Sequence, residues 1–439
     1  MTGRDLVCVA GTARATRRLA RLEARGESAG AAVEARVRRI IAAVRRYGDR
    51  ALLAFTRHFD CVALTRRTLA VPAADMAAAF RELPAVAQRD LALAARRIRA
   101  FHLHQRERSW RFRDRSGADL GMRTTPLARV GVYVPGGRAA YPSTVLMTVV
   151  PARVAGVGEV IAVSPAGPDG VTPIVAAACH VAGVDALYRV GGAQAVAALA
   201  WGTKTIPRVD KIVGPGNIWV ATAKRLAFGQ VDIDSIAGPS EVLIVADRTA
   251  DAEVVAADML AQAEHDPLAA AVCLTPVGRV AERVAAALDR QLAALPRRAI
   301  AARSLARFGA IVVTRSLADA CALADRLAPE HLELLVRDPA ATAKRIRNAG
   351  AIFLGPHAPE AFGDYLAGPN HVLPTGGTAR FASPLGVYDF VKRTSIIGAR
   401  PATLRRLGPA VVRLARLEGL DAHGRAVERR LAAMGGTRR

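Results

Sequence analysis

The sequence predicts an α/β fold: two Rossmann-like (incomplete dinucleotide-fold) domains with parallel sheets, plus helical N- and C-terminal extensions. Three observations predict it. Short apolar runs alternate with amphipathic stretches over 122–240, the pattern of parallel strands joined by helical crossovers. The same rhythm returns over 242–354. Before 105 and after 401, apolar residues recur at helical spacing instead.

Residues 14–105 read as helix after helix, with Arg and Glu interleaved among Ala, Leu and Val, as in 33–46 and 86–102. Strands follow at 122–125 and 130–134, and Pro135-Gly136-Gly137 then breaks the chain. The first alternating run places strands at 160–163, 186–190 and 211–213, and helices at 171–181, 194–200 and 218–228. The second places strands at 242–246, 271–274, 310–313, 332–336 and 351–354, with helices at 251–265, 279–293, 317–327 and 341–349. Residues 401–439 read as helix, interrupted at Gly419 and Gly424. The expected domains are 1–130 (a helical arm and the start of a first α/β domain), 131–240 (an inserted α/β domain), 241–380 (the rest of the first) and 381–439 (a helical extension). The Arg-rich ends, 14–25 and 425–439, read as arms.

Composition narrows the class. Of 439 residues, 51% are hydrophobic, enough to fill real cores. No apolar run reaches the ~18 residues of a membrane span, because Pro and Gly interrupt the richest stretch, 143–190. The first residues lack the pattern of a signal peptide, so a cytoplasmic protein is expected. Cys8, Cys61, Cys179, Cys273 and Cys321 are dispersed and suggest thiols rather than a disulfide framework. The formal charge is +24, yet only Lys204, Lys211, Lys224, Lys344 and Lys392 among the 62 basic residues are lysines. The Arg excess is spread over helix faces and aromatics are 5%, which argues against a nucleic-acid surface.

Four segments carry candidate chemistry. Gln262 and His265 lie three apart on a predicted helix and project from one face, where an amide oxygen and an imidazole suit one metal ion. A helix-end surface pair has the same spacing. In Pro329-Glu330-His331-Leu332, proline ends a helix and Leu332 opens a buried strand, so the pair sits at a strand entry. A carboxyl beside an imidazole suits general acid–base work, although a polar strand edge reads the same way. The stretch 363–375 has no helical period and concentrates Asp364, Asn370 and His371, as a functional loop does. Glu418 and His423 flank a helix break, where Asp421 also fits an N-cap. No G-x-G-x-x-G follows a strand. Strand-ending turns stand in its place: Pro135-Gly136-Gly137, Gly191-Gly192-Ala193-Gln194 and Gly214-Pro215-Gly216-Asn217. Their amides suit a phosphate, Tyr133 suits a ring, and any one of them is also an ordinary connection.

Taken together these segments resemble the histidinol dehydrogenase family. The matching stretches are Gly131-Val132-Tyr133-Val134-Pro135-Gly136-Gly137, Pro142-Ser143-Thr144-Val145-Leu146-Met147, Val190-Gly191-Gly192-Ala193-Gln194-Ala195, Asp210-Lys211-Ile212-Val213-Gly214-Pro215-Gly216-Asn217 and Ala237-Gly238-Pro239-Ser240-Glu241-Val242-Leu243, with the four segments above. They run in order from about 30 to 430. The resemblance implies a homodimer with shared active sites that oxidises L-histidinol to L-histidine through L-histidinal with two NAD, using zinc. It implies zinc ligands Gln262, His265 and Asp364 with His423 of the partner subunit. His331 is the implied base and Glu330 the group that activates water. Ser240, His371 and Glu418 are implied to contact substrate alongside the zinc ligands and His331; Tyr133, Gln194 and Asn217 are implied to contact NAD. Asp364, Glu330 and Glu418 would give a cationic amino alcohol a locally acidic pocket in a basic protein. Cys61 departs from the family, which often has Gly there, and His265-Asp266-Pro267-Leu268 is followed by an unusually apolar run. Two rivals are a zinc- and NAD-linked relative acting on another small polar alcohol, such as a sulfonated diol, and a non-catalytic basic binding protein.

Overall fold

The computed structural model describes residues 2–26, 30–136, 140–236 and 238–435. Gly137 and Ala237 of the quoted turns, and 436–439 of the Arg-rich tail, lie outside them. The chain divides into two compact units, Met1–Gln105 with Leu127–Phe390, and Arg106–Pro126 with Val391–Arg439.

The strands, in chain order, are β1 (Val7–Val9), β2 (Ala70–Val71), β3 (Trp110–Arg113), β4 (Asp119–Pro126), β5 (Arg129–Tyr133), β6 (Glu159–Val163), β7 (Ala186–Tyr188) and β8 (Lys211–Val213). They continue with β9 (Asp232–Ile233), β10 (Glu241–Ala246), β11 (Ala270–Thr275), β12 (Gly309–Val313), β13 (His331–Leu335), β14 (Ala351–Leu354) and β15 (Val391–Gly398). Among the described residues the larger unit holds two six-stranded sheets, β1-β12-β11-β10-β13-β14 and β2-β7-β6-β5-β8-β9. The first is parallel throughout. The second is parallel except where β2 meets β7. The parallel α/β architecture is therefore as the alternating pattern predicts.

Both sheets are buried on both faces, which is why their strands read as near-continuous Val, Ile, Leu and Ala. In β10, Val242, Ile244 and Ala246 enter one core while Leu243 and Val245 enter another on the opposite face. Strand β13 obeys the same alternation with a difference that matters. Leu332 and Leu334 face the second core, so His331 and Glu333 share the other face, both buried. Two ionisable groups inside a packed layer need partners, and they mark where the apolar sheet becomes a site.

The Arg-rich N-terminal segment is not an arm. Helix Ala13–Glu23 buries Ala15, Leu19 and Leu22 against the first sheet. Its charges are the outer half of an amphipathic helix. The smaller unit also departs from an all-helical reading: β15 pairs antiparallel with β4, and β4 with β3. Its helices are Pro401–Leu417 and Asp421–Gly435; the chain breaks at Gly419, whereas Gly424 lies inside the second helix. The cysteines are free thiols. Cys61 caps helix Asp49–Asp60 with φ 58, in the left-handed region that glycine adopts without steric cost. Among the described residues no helix is long and apolar enough to cross a membrane.

Candidate active site

Helix Leu317–Leu327 stops at Ala328, a buried non-glycine residue with φ 49. Pro329 prevents continuation, and Glu330 and His331 follow at the entry to β13. In register, His331 lies between Val242 of β10 and Ala351 of β14, so the pair sits at the amino ends of adjacent parallel strands. Glu330 and His331 are 5% and 4% exposed.

One residue organises both. The Glu241 amide donates to Glu330 Oε2 at 2.9 Å, and the Glu241 carbonyl lies 3.1 Å from His331 Nδ1. A carbonyl only accepts, so Nδ1 carries the proton and Nε2 holds the lone pair. Nε2 is buried and has no partner among the described residues. The nearby Ser240 hydroxyl favours the ionised Glu330 carboxylate. Burial, reinforced by the nearby Glu241 charge, raises the Glu330 carboxyl well above its usual range. Burial also holds the His331 imidazole down to about 3. Burial therefore favours the neutral form of both groups.

A second cluster adjoins the pair. Helix Ala252–Ala263 runs back along the sheet and returns Gln262 and His265 to the amino edge of the strands. The short helix Glu360–Tyr365 supplies Glu360 and Asp364. One ligand atom each from His265, Glu360 and Asp364 lies within 4.8 Å of the others. The satisfied orientation of the buried Gln262 amide has its nitrogen donating to Glu360 at 3.0 and 3.3 Å, which leaves its oxygen as a lone-pair donor. Glu360 Oε1 is 3.5 Å from His331 Nδ1 and therefore connects the two clusters. His371 Nδ1 is 3.7 Å from Asp364. Burial raises Asp364 to about 6 and lowers His371 to about 4. His265 is lowered by the same cause although its ring reaches solvent. Carboxylates crowded with imidazole and an amide oxygen form a mixed N/O set of the kind that holds zinc. A dication there reverses the burial effect on the carboxyls and favours their ionised forms.

The glycine turns gather at the second sheet. A cavity of about 580 Å³ is lined by Tyr133, Gly136, Gly192, Gln194 and Asn217, beyond the carboxyl ends of β5 to β8, where doubly wound sheets bind nucleotides. Tyr133 is buried, and its hydroxyl accepts from the Gly192 amide at 3.0 Å. Asn217 caps helix Ile218–Ala227 through the amides of Trp219 and Val220. Gly214 has φ 107, and a side chain there would meet the Tyr133 carbonyl at 2.3 Å. Gln194 Nε2 and Asp60 Oδ2, on two cavity-lining residues, are buried without a partner among the described residues, as expected of atoms kept for a ligand.

Glu418 and His423 belong to the smaller unit. Glu418 caps helix Pro401–Leu417, His423 lies in the first turn of the next helix, and both are exposed. The larger unit thus brings together Ser240, Gln262, His265, Glu330, His331, Asp364 and His371. Four further acids near them escaped the sequence reading, although periodicity carried a signal for three. Glu360 is one helical turn from Asp364, Asp258 is one turn from Gln262, and Glu333 is two strand positions from His331. Burial raises Glu333 to about 9, with the Asp258 charge adding to it. Glu241, the fourth, stood in a quoted motif without a role.

Comparison with known proteins agrees in extent and kind. The sequence model described as histidinol dehydrogenase matches residues 23–431. Histidinol dehydrogenase of Syntrophotalea carbinolica is 55% identical over 413 residues, covering 94% of this chain and 96% of that protein. The Geobacter metallireducens enzyme of that name is 53% identical over 417 residues, covering 95% and 96%. The crystal structure of histidinol dehydrogenase from Elizabethkingia anophelis superposes with TM-score 0.92 at 32% identity, covering 98% of each chain.

Proposed function

The chain belongs to the histidinol dehydrogenase family of oxidoreductases, and we propose that it oxidises L-histidinol to L-histidine through L-histidinal, with zinc and two NAD, at the site around Glu330 and His331. The observation that carries this reading is the contact set of Glu241, which presents an unpartnered His331 Nε2 and a Glu330 carboxyl side by side next to the His265–Asp364 cluster.

Each residue then has a task. Gln262, His265 and Asp364 hold the zinc, with His423 of the partner subunit; when bound, zinc supplies a fixed positive charge that orients the imidazole and amine of the substrate. NAD, when bound, accepts one hydride in each oxidation; Tyr133, Gln194 and Asn217 hold it. His331 Nε2 takes the hydroxyl proton of L-histidinol as the C–H electrons leave as hydride, which gives the aldehyde. Glu330 then takes a proton from water as its oxygen bonds to the aldehyde carbon, and the protonated His331 gives its proton to the carbonyl oxygen, which forms the hydrate and frees Nε2 again. His331 takes one hydroxyl proton of the hydrate as the second hydride leaves, which gives the carboxylic acid, and this loses its remaining proton to give the carboxylate. Ser240 holds Glu330 in place and meets the substrate with His371 and Glu418.

A homodimer with shared sites accounts for two features of the smaller unit. His423 belongs to the smaller unit, and in the same unit Leu407, Val411, Leu414 and Leu417 form an exposed apolar stripe at helical spacing on helix Pro401–Leu417. We place the enzyme in the cytoplasm. Glu418 and His423 favour histidinol over a sulfonated alcohol, because both suit an imidazole-bearing cation. A steady-state assay tests the reading: with zinc present, L-histidinol and NAD give two NADH per L-histidine formed. Absence of NADH would refute it.

A further inference from the structure

We propose that Arg25 and Glu241 form a positioning clamp that sets the geometry of Glu330 and His331. Arg25 comes from the first turns of the chain, yet its side chain is 3% exposed and lies deep against the strand entries. Its guanidinium pairs with Glu241 Oε2 at 3.0 Å. It also donates to the carbonyls of Pro239 at 2.9 Å, Ser240 at 3.1 Å and Leu268 at 2.8 Å. Its carbon lies 5.1 Å from the centre of the Phe308 ring. A planar fork holding one carboxylate and three carbonyls fixes the 239–241 backbone in a way that a flexible point charge does not.

That backbone is the part of the protein that touches the reacting pair. Glu241 Oε1 accepts from the Glu330 amide at 3.3 Å and from the Gly376 amide at 3.0 Å. The Glu241 amide and carbonyl in turn hold the Glu330 carboxyl and His331 Nδ1. Glu241 therefore grips the pair through three separate groups, and Arg25 grips Glu241 through both its side chain and the carbonyls before it. Displacing 239–241 shifts the Glu330 oxygen and rotates the His331 ring together. Gln262 and Asp364 lie on other elements, and the guanidinium reaches the segment after His265 only through the Leu268 carbonyl. The clamp consequently affects the chemical step more than zinc or substrate binding.

The clamp rests on the reading of Glu330 and His331 as the reacting pair. The parent protein's turnover of L-histidinol tests that reading, and variants in the same assay test the clamp. In Arg25→Ala, kcat is expected to fall roughly 10–100-fold, the scale of an ångström-sized misplacement. Zinc content stays at the parent value, and KM for L-histidinol changes by less than kcat, Ser240 being the one substrate contact in the clamped segment. Guanidinium ion restores part of kcat; a cavity of about 250 Å³ lined by Glu241, Gly376 and Gly377 gives it access. Arg25→Lys keeps the ion pair but loses the fork, and falls in between. A kcat within about threefold of the parent overturns the clamp. So does a fall that follows loss of folded protein and responds to neither guanidinium nor Arg25→Lys. Should Arg25→Ala not accumulate as folded protein, Glu241→Gln is read by the same kcat and KM criteria, because its amide oxygen still accepts from Glu330 and Gly376 while the ion pair is gone.

Discussion

Replacing His331 with Asn is expected to lower kcat for L-histidinol by roughly 10²–10⁴-fold, the usual worth of a positioned general base. The substitution is chosen for what it keeps. A carboxamide can still donate to the Glu241 carbonyl in place of Nδ1, so no buried acceptor is orphaned. What disappears is the Nε2 lone pair. Since the imidazole is held neutral in the fold, its removal strands no charge, and the variant should fold. Zinc content should equal the parent's, because the candidate ligands lie on other elements. Steady-state kinetics with metal analysis on the same preparation checks both statements. A variant turning over near the parent rate would mean that another group takes the alcohol proton.

Replacing Glu330 with Gln should act on one direction of the aldehyde chemistry and largely spare the other. Oxidation of supplied L-histidinal needs water as nucleophile, and loss of the carboxylate should slow it by about 10²–10⁴-fold. Reduction of the same aldehyde by NADH consumes no water and needs only a proton from the protonated His331, so it should retain far more activity. The amide oxygen of Gln still accepts from the Glu241 amide, which preserves the position of the group. The burial that raises the Glu330 carboxyl acts against its work as a base. Bound zinc and the substrate ammonium both favour the ionised form, so the carboxylate is available to take a proton from water in the loaded site. Equal losses in both directions would contradict a separate task for Glu330.

The parallel sheets were legible because buried strands announce themselves as Val- and Ile-rich runs, and turns such as Gly214-Pro215-Gly216 mark their ends. Strand β15 was not legible: Val391–Gly398 is mostly exposed and carries Lys392 and Arg393, so it lacks the apolar signal of a core strand. Its identity comes from pairing with β4, a contact 265 residues away in sequence, 391 against 126. In the site, Gln262 with His265 and Glu330 with His331 were legible as short polar groups in apolar surroundings. Arg25 was not, because on residue type it is one more arginine in an Arg-rich helix end. Only the fold shows that it is buried against Glu241 while its neighbours are solvated. Glu360 and Glu333 lay within reach of periodicity arguments, and needed only the question of which acids share a face with His331 and Asp364.

The most direct measurement is an anomalous difference map at the zinc absorption edge from crystals of the zinc-loaded protein. It should show one strong peak per chain, bound by Gln262, His265 and Asp364 and by His423 of the partner subunit, with Glu330 and His331 alongside. A zinc peak away from His265 and Asp364, or none after stoichiometric loading, would contradict the shared metal site on which the proposed chemistry depends.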